Sequence, residues 1–126
     1  MRIEQFVEES NGICRFRFRG ECDLVEATEL VRKALAYCRE RAIAKLLVDG
    51  TALTGVPIPS LIDRFLMVEE WAHEAGGVIV MVLVVQPQYI HPEKFGVKVA
   101  HDFGLTANVF PGDAEALAWL ARVSAA

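Results

Sequence analysis

The stretch "VIVMVLVV", residues 78–85, is apolar at every position and has the length of a single strand. A strand with one face in water alternates apolar and polar residues, whereas a continuous apolar run is typical of a central strand in a parallel sheet. Gly76 and Gly77 precede the run and favour the end of a preceding helix there. The run therefore predicts a parallel α/β sheet with this strand near its centre.

Before this strand, the sequence predicts a β-hairpin, then a helix, a short strand and a second helix. Asn11-Gly12 favours a tight turn between the first two strands. The predicted elements are strands over residues 2–8 and 13–21, a helix over 23–41, a strand over 45–49 and a helix over 60–75. The apolar residues of the second helix that we expect to face the core are Leu61, Ile62, Phe65, Leu66 and Ala72.

The part after this strand adds a helix from Pro92 to just before Gly104, a strand over 106–110 and a final helix over 113–123 capped by Asp113. The order is ββαβαβαβα, in a single domain over residues 1–126. Right-handed crossovers that all step the same way predict parallel strands with the helices mainly on one face. Because the central strand is apolar on both sides, an open second face predicts a homodimer, or a ligand, on that side.

Composition and charge argue against several classes of protein. The chain has 126 residues with a formal net charge of -4, which argues against general nucleic-acid binding. No apolar stretch is long enough for an integral membrane segment, and the N-terminus lacks the apolar region of a secretory signal. Its three cysteines lack metal-ligand spacing, which indicates reduced thiols. We therefore expect a cytoplasmic protein.

Three stretches carry a family resemblance: "LLVDGTALTG" at residues 46–55, "SLIDRF" at 60–65 and "VFPGDAEALAWL" at 109–120. With the element order, they resemble the SpoIIAA-like domains of the STAS family (sulfate transporters and anti-sigma-factor antagonists), in particular small bacterial STAS/Sec14-like proteins of unassigned function. The resemblance covers nearly the whole chain and implies a superhelix of βα units. It also implies binding of partner proteins under phosphorylation control, or of lipids as in the CRAL-TRIO branch.

The family resemblance also implies a switch residue. Family members carry a phospho-acceptor serine or threonine after the central strand, where the next helix begins, commonly written Asp-Ser-Ser-Gly. This chain lacks that motif, and Thr54 and Ser60 are the candidates in the matching loop. Ser60 also has a purely structural interpretation, as the N-cap of the second helix with Asp63 at the capping-box position.

A pocket is predicted at the carboxyl edge of the sheet, where ligands of open α/β sheets bind. Its candidate residues are Asp49, Thr51, Gln86, Tyr89 and His91. The structural alternatives are that Asp49 forms a turn, Tyr89 packs on its loop and His91 caps a helix. An enzyme would require Asp49, Tyr89 and His91 to converge within hydrogen-bond reach. No metal or cofactor is predicted, because the histidines are scattered.

Basic residues recur at regular spacing in two places. Arg15, Arg17 and Arg19 alternate along one strand, and therefore share a face. The helical spacing of a second set predicts one basic face of the third helix; this set is His91, Lys94, Lys98 and His101. Each set is interpreted as a solvated face or as a contact for an acidic partner or anionic head groups.

These observations predict a non-enzymatic protein-interaction or regulatory module. The helix after Asp49 and the loops at the carboxyl edge of the sheet would form its working surface, and a regulatory protein would be its partner. The alternative is a carrier or sensor of a small apolar or lipid ligand. A tightly filled core favours the interaction module, whereas an apolar cavity of ligand size favours the carrier.

Overall fold

The structure, a computed structural model, describes residues 2–123. Its elements are β1 (Glu4–Ser10), β2 (Ile13–Glu21), α1 (Leu24–Glu40), β3 (Lys45–Thr54), α2 (Leu61–Ala75), β4 (Val80–Val84), α3 (Phe95–Asp102), β5 (Ala107–Phe110) and α4 (Asp113–Arg122). A short 3-10 turn, Pro87–Tyr89, lies between β4 and α3. The predicted order ββαβαβαβα is confirmed.

The five strands form one sheet in the order β1-β2-β3-β4-β5. β1 and β2 are antiparallel, and the other neighbouring pairs are parallel. At the hairpin turn Asn11 and Gly12 have φ angles of 54° and 77°, as a two-residue hairpin turn requires. Each crossover steps the same way across the sheet, so right-handed connections place α1, α2 and α3 on one side. We call that side the front face and the opposite side the back face.

The main core lies between the front face and these three helices. The alternation predicted for β2 is confirmed, because Cys14, Phe16 and Phe18 are all buried there. Trp71 of α2 joins this core and donates a hydrogen bond from Nε1 to the carbonyl oxygen of Thr28 in α1 at 3.0 Å. The buried indole N–H therefore has the partner it needs, and the bond links α1 to α2.

The back face is not open at its centre, contrary to the prediction. α4 crosses it and forms a second, smaller core. The buried members of that core are Leu47, Val80, Val82, Val84, Ala116 and Leu120. The reason is that α4 follows the last strand and makes no further crossover, so it is free to cover the apolar side that the other helices leave. The apolar residues of β4 thus offer no exposed patch for a second copy.

The start of α4 is held by an ion pair instead of the predicted cap. Asp113 is the first helical residue, and Gly112 occupies the N-cap position without a side-chain hydrogen bond. The carboxylate of Asp113 pairs with the guanidinium of Arg15 on the back face of β2. Farther along β2, Arg19 pairs with Glu4 of β1 at 2.8 Å. The β1–β2 half of the back face is thus charged and paired within the chain.

The third helix is shorter than predicted. It begins at Phe95, and the residues from His91 to Lys94 form a turn before it. Lys94 has a left-handed backbone with φ of 50° at the N-cap position. The predicted basic face is therefore wrong, since His91 and Lys94 lie outside the helix while Lys98 and His101 lie within it.

Candidate functional site

Asp49 lies on the back face of β3, in register with Arg17 and Val84. Its side chain is buried, and Oδ1 accepts hydrogen bonds from the backbone N–H of Thr51 at 2.9 Å and from its hydroxyl at 2.7 Å. Arg17 Nε lies 3.7 Å from Asp49 Oδ2. Asp49 and Thr51 lie within β3, where the pairing with β2 shifts register between Arg17 and Arg19. The carboxylate bonds a nearby backbone amide, as the structural interpretation expected, but it stabilises this irregularity of the strand and not a turn.

Thr54 and Ser60, the predicted switch-loop residues, lie at the two ends of the exposed connection between β3 and α2. Thr54 Oγ1 lies 3.4 Å from the carbonyl oxygen of Gly20. Ser60 Oγ accepts the backbone N–H of Asp63 at 3.1 Å, and the Asp63 carboxylate accepts the N–H of Ser60 at 3.0 Å. This capping box is the structural role predicted for Ser60. The phospho-acceptor role of both hydroxyls stays a prediction.

The loop after β4 bonds to β3 itself and to the loop that follows β3. Gln86 Nε2 donates to the carbonyl oxygen of Thr51 at 2.9 Å. The hydroxyl of Tyr89 donates to the carbonyl oxygen of Val56 at 2.5 Å. These bonds join Gln86 to the group formed by Asp49 and Thr51, and they place Tyr89 against the approach to α2.

The predicted pocket residues therefore divide into two groups. Asp49, Thr51 and Gln86 form the hydrogen-bonded group just described, whereas Tyr89 and His91 line a cavity on the front side. No hydrogen bond within residues 2–123 joins Asp49 to Tyr89 or His91, so these residues do not form the acid–base cluster that an enzyme would need here. The physical reason is the strand period, which turns Asp49 to the back face while the loop after β4 runs over the front.

The front cavity lies between the sheet and the three front helices and has a volume of about 170 Å³. Most of its wall is apolar, and includes Leu30, Leu53, Met67, Leu83, Val97 and Val109. On β4 the back-face residues Val82 and Val84 are buried, yet Leu83 between them keeps partial exposure on the helix-covered side. The main core is therefore not tightly filled. An apolar cavity of this kind favours a carrier over an interaction module.

A second feature, on the outside of α2, contradicts the sequence analysis. Leu61, Ile62, Phe65 and Leu66 were expected in the core, but all are exposed, up to 72% for Ile62. The helix instead buries Val68, Trp71 and Ala75. With two exposed neighbours, these residues form what we call the α2 surface: Ile58, Leu61, Ile62, Phe65, Leu66 and Phe103. The rings of Phe65 and Phe103 meet edge to face at 5.4 Å, which makes the surface continuous from α2 to the end of α3.

The sequence carried a signal for this surface. Between residues 61 and 75, α2 has apolar residues on more of its circumference than one buried stripe requires. An apolar excess of that kind indicates either a helix buried on all sides or a second contact surface. The exposed acidic residues Glu69 and Glu70 follow the surface at helical spacing, so its flank is negative.

Residues 2–123 contain neither a metal-binding cluster nor a helix suited to cross a membrane. No group of three or more His, Cys, Asp or Glu side chains in residues 2–123 is placed to hold a metal ion. None of the helices in that range has both the length and the apolar composition needed to cross a membrane. The cavity and the α2 surface are therefore the features of the described chain on which a function can be argued.

Similarity to known proteins is found in the structure of the chain and not in its sequence. No protein-family model matches the sequence, and no curated protein has a significantly similar sequence. An anti-sigma factor antagonist from Mycobacterium paratuberculosis superposes with a TM-score of 0.56 at 19% identity, covering 94% of both chains. The anti-sigma factor antagonist SpoIIAA in its unphosphorylated form has a TM-score of 0.53 at 16% identity, covering 95% of this chain and 100% of that one.

A third similar structure is an uncharacterized protein of the DUF3478 family from Shewanella loihica with a SpoIIAA-like fold, at a TM-score of 0.48 and 21% identity, covering 94% of this chain and 93% of that one. The first two likenesses extend over nearly the whole of both chains, and they agree with the strand order and the parallel crossovers of the sheet. The chain therefore has a SpoIIAA-like fold.

Proposed function

We propose that this protein is a non-enzymatic regulatory module of the bacterial cytoplasm that binds a partner protein on the α2 surface. The observation that carries the proposal is the continuous exposure of large apolar side chains there, with Ile62 at 72%, Ile58 at 58% and Leu66 at 55%. Single exposed apolar residues are ordinary on a protein surface, but a contiguous group of this kind marks an interaction site.

The charges around the α2 surface indicate the chemistry of the partner that would bind there. Glu69 and Glu70 lie beside the apolar residues, and the whole chain has a net charge of -4. A partner with an apolar centre and a basic rim would bury the apolar residues and meet the acidic flank. Such a rim would add chiefly to the rate of association and its dependence on salt.

The comparisons support a regulatory role, because the two similar structures with TM-scores above 0.5 are both anti-sigma factor antagonists. Ser60 supports the same role by its position, as the residue immediately before Leu61 at the start of α2. A phosphate on Ser60 would place negative charge beside the α2 surface, where it would be tolerated by the helix N-terminus and would change the binding of the partner.

The homodimer predicted from the sequence stays a prediction. Its expected site on β4 is covered by α4, so a second copy would need another surface. The net charge of -4 opposes the approach of a second copy of this chain. A partner of opposite charge therefore fits the α2 surface and its acidic flank better than a second copy.

Site-specific photo-crosslinking in the native host tests the proposal. A benzophenone amino acid replaces Ile62 on the α2 surface and, as control, Val78, which is 54% exposed beyond the opposite end of α2. We expect one protein to be crosslinked from position 62 and not from position 78. With that protein purified, Ile62→Asp should weaken binding by roughly 30-fold, the scale of an interface hot spot, whereas Val78→Asp should not.

Two results would overturn the proposal. One is equal crosslinking from both positions, which would mean that the α2 surface is not selective. The other is an Ile62→Asp protein that binds the purified partner as tightly as the unchanged protein. A crosslinked product with twice the mass of this chain would assign the surface to self-association instead.

The front cavity favours a second candidate function, a carrier or sensor of a small apolar ligand. Its volume of about 170 Å³ is near the roughly 150 Å³ of an engineered apolar cavity that binds benzene. A phospholipid with long acyl chains would not fit in that volume. The cavity therefore supports a small ligand, and titration with toluene observed by ¹⁵N NMR tests it through chemical-shift changes at Leu83 and Val97.

A further inference from the structure

The front cavity is apolar along most of its wall, and three basic residues are among those that line it: Arg64 from α2, and His91 and Lys94 from the loop before α3. No Asp or Glu of the described chain lines the cavity. The negative charge that would balance these groups is therefore not provided within the cavity.

Arg64 differs from most other arginines of residues 2–123. Those with a carboxylate oxygen within 4.0 Å are Arg2, Arg15, Arg17, Arg19, Arg32, Arg39 and Arg41. Arg64 is partly buried, and its Nη1 donates to the uncharged carbonyl oxygen of Tyr89 at 2.9 Å. Burial lowers the pKa of Arg64 from its ordinary value, because its charge is partly removed from water. A guanidinium in this position has donors free for an anion.

The two other basic groups have uncharged partners as well. Lys94 Nζ donates to Asn108 Oδ1 at 2.7 Å and lies 4.4 Å from the centre of the Phe110 ring. His91 Nδ1 accepts the backbone N–H of Glu93 at 3.1 Å, which leaves Nε2 without a partner among residues 2–123. The partners of Lys94 Nζ, Asn108 and Phe110, are in register with Val82 and Val84 and so lie on the back-face side of β5, which directs the Lys94 charge away from the front cavity. His91 lines the cavity and can contribute to binding an anion placed at Arg64.

We propose that the front cavity binds a small carboxylic acid as its anion, with the carboxylate at Arg64 and His91 and an aromatic or short aliphatic body against the apolar wall. The inference rests on the second candidate function, ligand binding in this cavity, and names its chemistry. The volume fits a body of about six to eight non-hydrogen atoms, by comparison with benzene in a cavity of similar size. A singly charged carboxylate suits the site better than a phosphate dianion, because the apolar wall raises the cost of each charge moved out of water.

Isothermal titration with benzoate, benzamide and toluene tests the proposal, since the three share a ring and only benzoate is charged. Benzoate should bind at least tenfold more tightly than benzamide, the scale of one hydrogen bond to a charged group. Arg64→Gln should remove that preference and leave the binding of toluene unchanged. The matched control is Arg122→Gln, an exposed arginine in the last turn of α4 that should keep the preference. If Arg64→Gln does not fold, His91→Gln serves in its place, with a several-fold loss expected for benzoate alone.

The outcomes distinguish a failure of the carboxylate inference from a failure of ligand binding in the cavity. Binding of toluene and benzamide as tight as that of benzoate would overturn the carboxylate inference and leave the apolar cavity as a ligand site. A benzoate preference that survives in both Arg64→Gln and His91→Gln would also overturn it. If none of the three compounds binds, the cavity is not a site for ligands of this size, and the second candidate function fails as well.

Discussion

Because α4 covers the back face, replacing its buried Leu120 with alanine should greatly lower the free energy of unfolding. Leu120 is 0% exposed and belongs to the back-face core with Leu47 and Val82. Leu120→Ala removes three buried carbon atoms, which at ~0.8 kcal/mol for each gives about 2.4 kcal/mol. The cavity left behind adds to this loss, so we expect the free energy of unfolding to fall by about 3 to 4 kcal/mol.

Urea unfolding followed by circular dichroism measures this loss. The matched control is Leu66→Ala, which removes the same atoms from a helical leucine that is 55% exposed, and it should change the free energy of unfolding by less than about 0.5 kcal/mol. With a typical urea dependence, the midpoint of Leu120→Ala should fall by about 2 M. A loss for Leu120→Ala no larger than that for Leu66→Ala would show that α4 does not cover the sheet. The back face would then be open, and the argument for a homodimer there would return.

Three further predictions concern single positions. Ser60→Ala should lower the free energy of unfolding by about 1 kcal/mol because α2 loses its N-cap, while Ser60→Asp, which keeps an acceptor, should stay within about 0.5 kcal/mol in thermal unfolding. Gly20→Ala should destabilise far more than Gly12→Ala, because a Cβ at Gly20 would lie 2.2 Å from the backbone oxygen of Arg2, whereas one at Gly12 meets nothing within 4 Å; equal urea midpoints would contradict this close approach. Burial raises the pKa of the Cys38 thiol above its usual 9.0, so stability should fall as the pH rises past that value, because the unfolded thiol then releases a proton that the native one retains. The alkaline loss should be smaller in Cys38→Ala, and an unchanged loss in its urea midpoint between pH 8 and 10 would refute the argument.

The strands and their turn could be predicted because their signals are local. Successive side chains of a strand point to opposite faces, so the alternation of β2 shows directly that Phe16 and Phe18 share the buried side. The turn at Asn11-Gly12 and the capping box of Ser60 with Asp63 each depend on residues at most three positions apart. Interactions of this range form whatever the rest of the chain does.

The inward face of α2 could not be predicted in the same way. The helix has two apolar stripes, one with Leu61 and Phe65 and the other with Val68 and Trp71, and periodicity alone does not say which of them meets the core. The bond from Trp71 to Thr28 of α1 and the packing of α2 on the sheet decide the matter. The predicted pocket residues fall into two groups for a similar reason. The loop with Tyr89 and His91 lies on the side of the front helices, whereas Asp49 lies on the back face.

By itself, the sequence determined the order of the elements, the hairpin, the parallel arrangement of the later strands and the cap of α2. Only the tertiary structure decided which apolar faces are covered: α4 covers the back of β4, the front helices leave a cavity, and the first half of α2 stays exposed. The physical reason is one of range. The conformation of a segment is set by residues close together in the chain. The cover of a face depends on clusters of distant residues, such as the one that buries Leu120 with Leu47, which form only when the whole chain has folded.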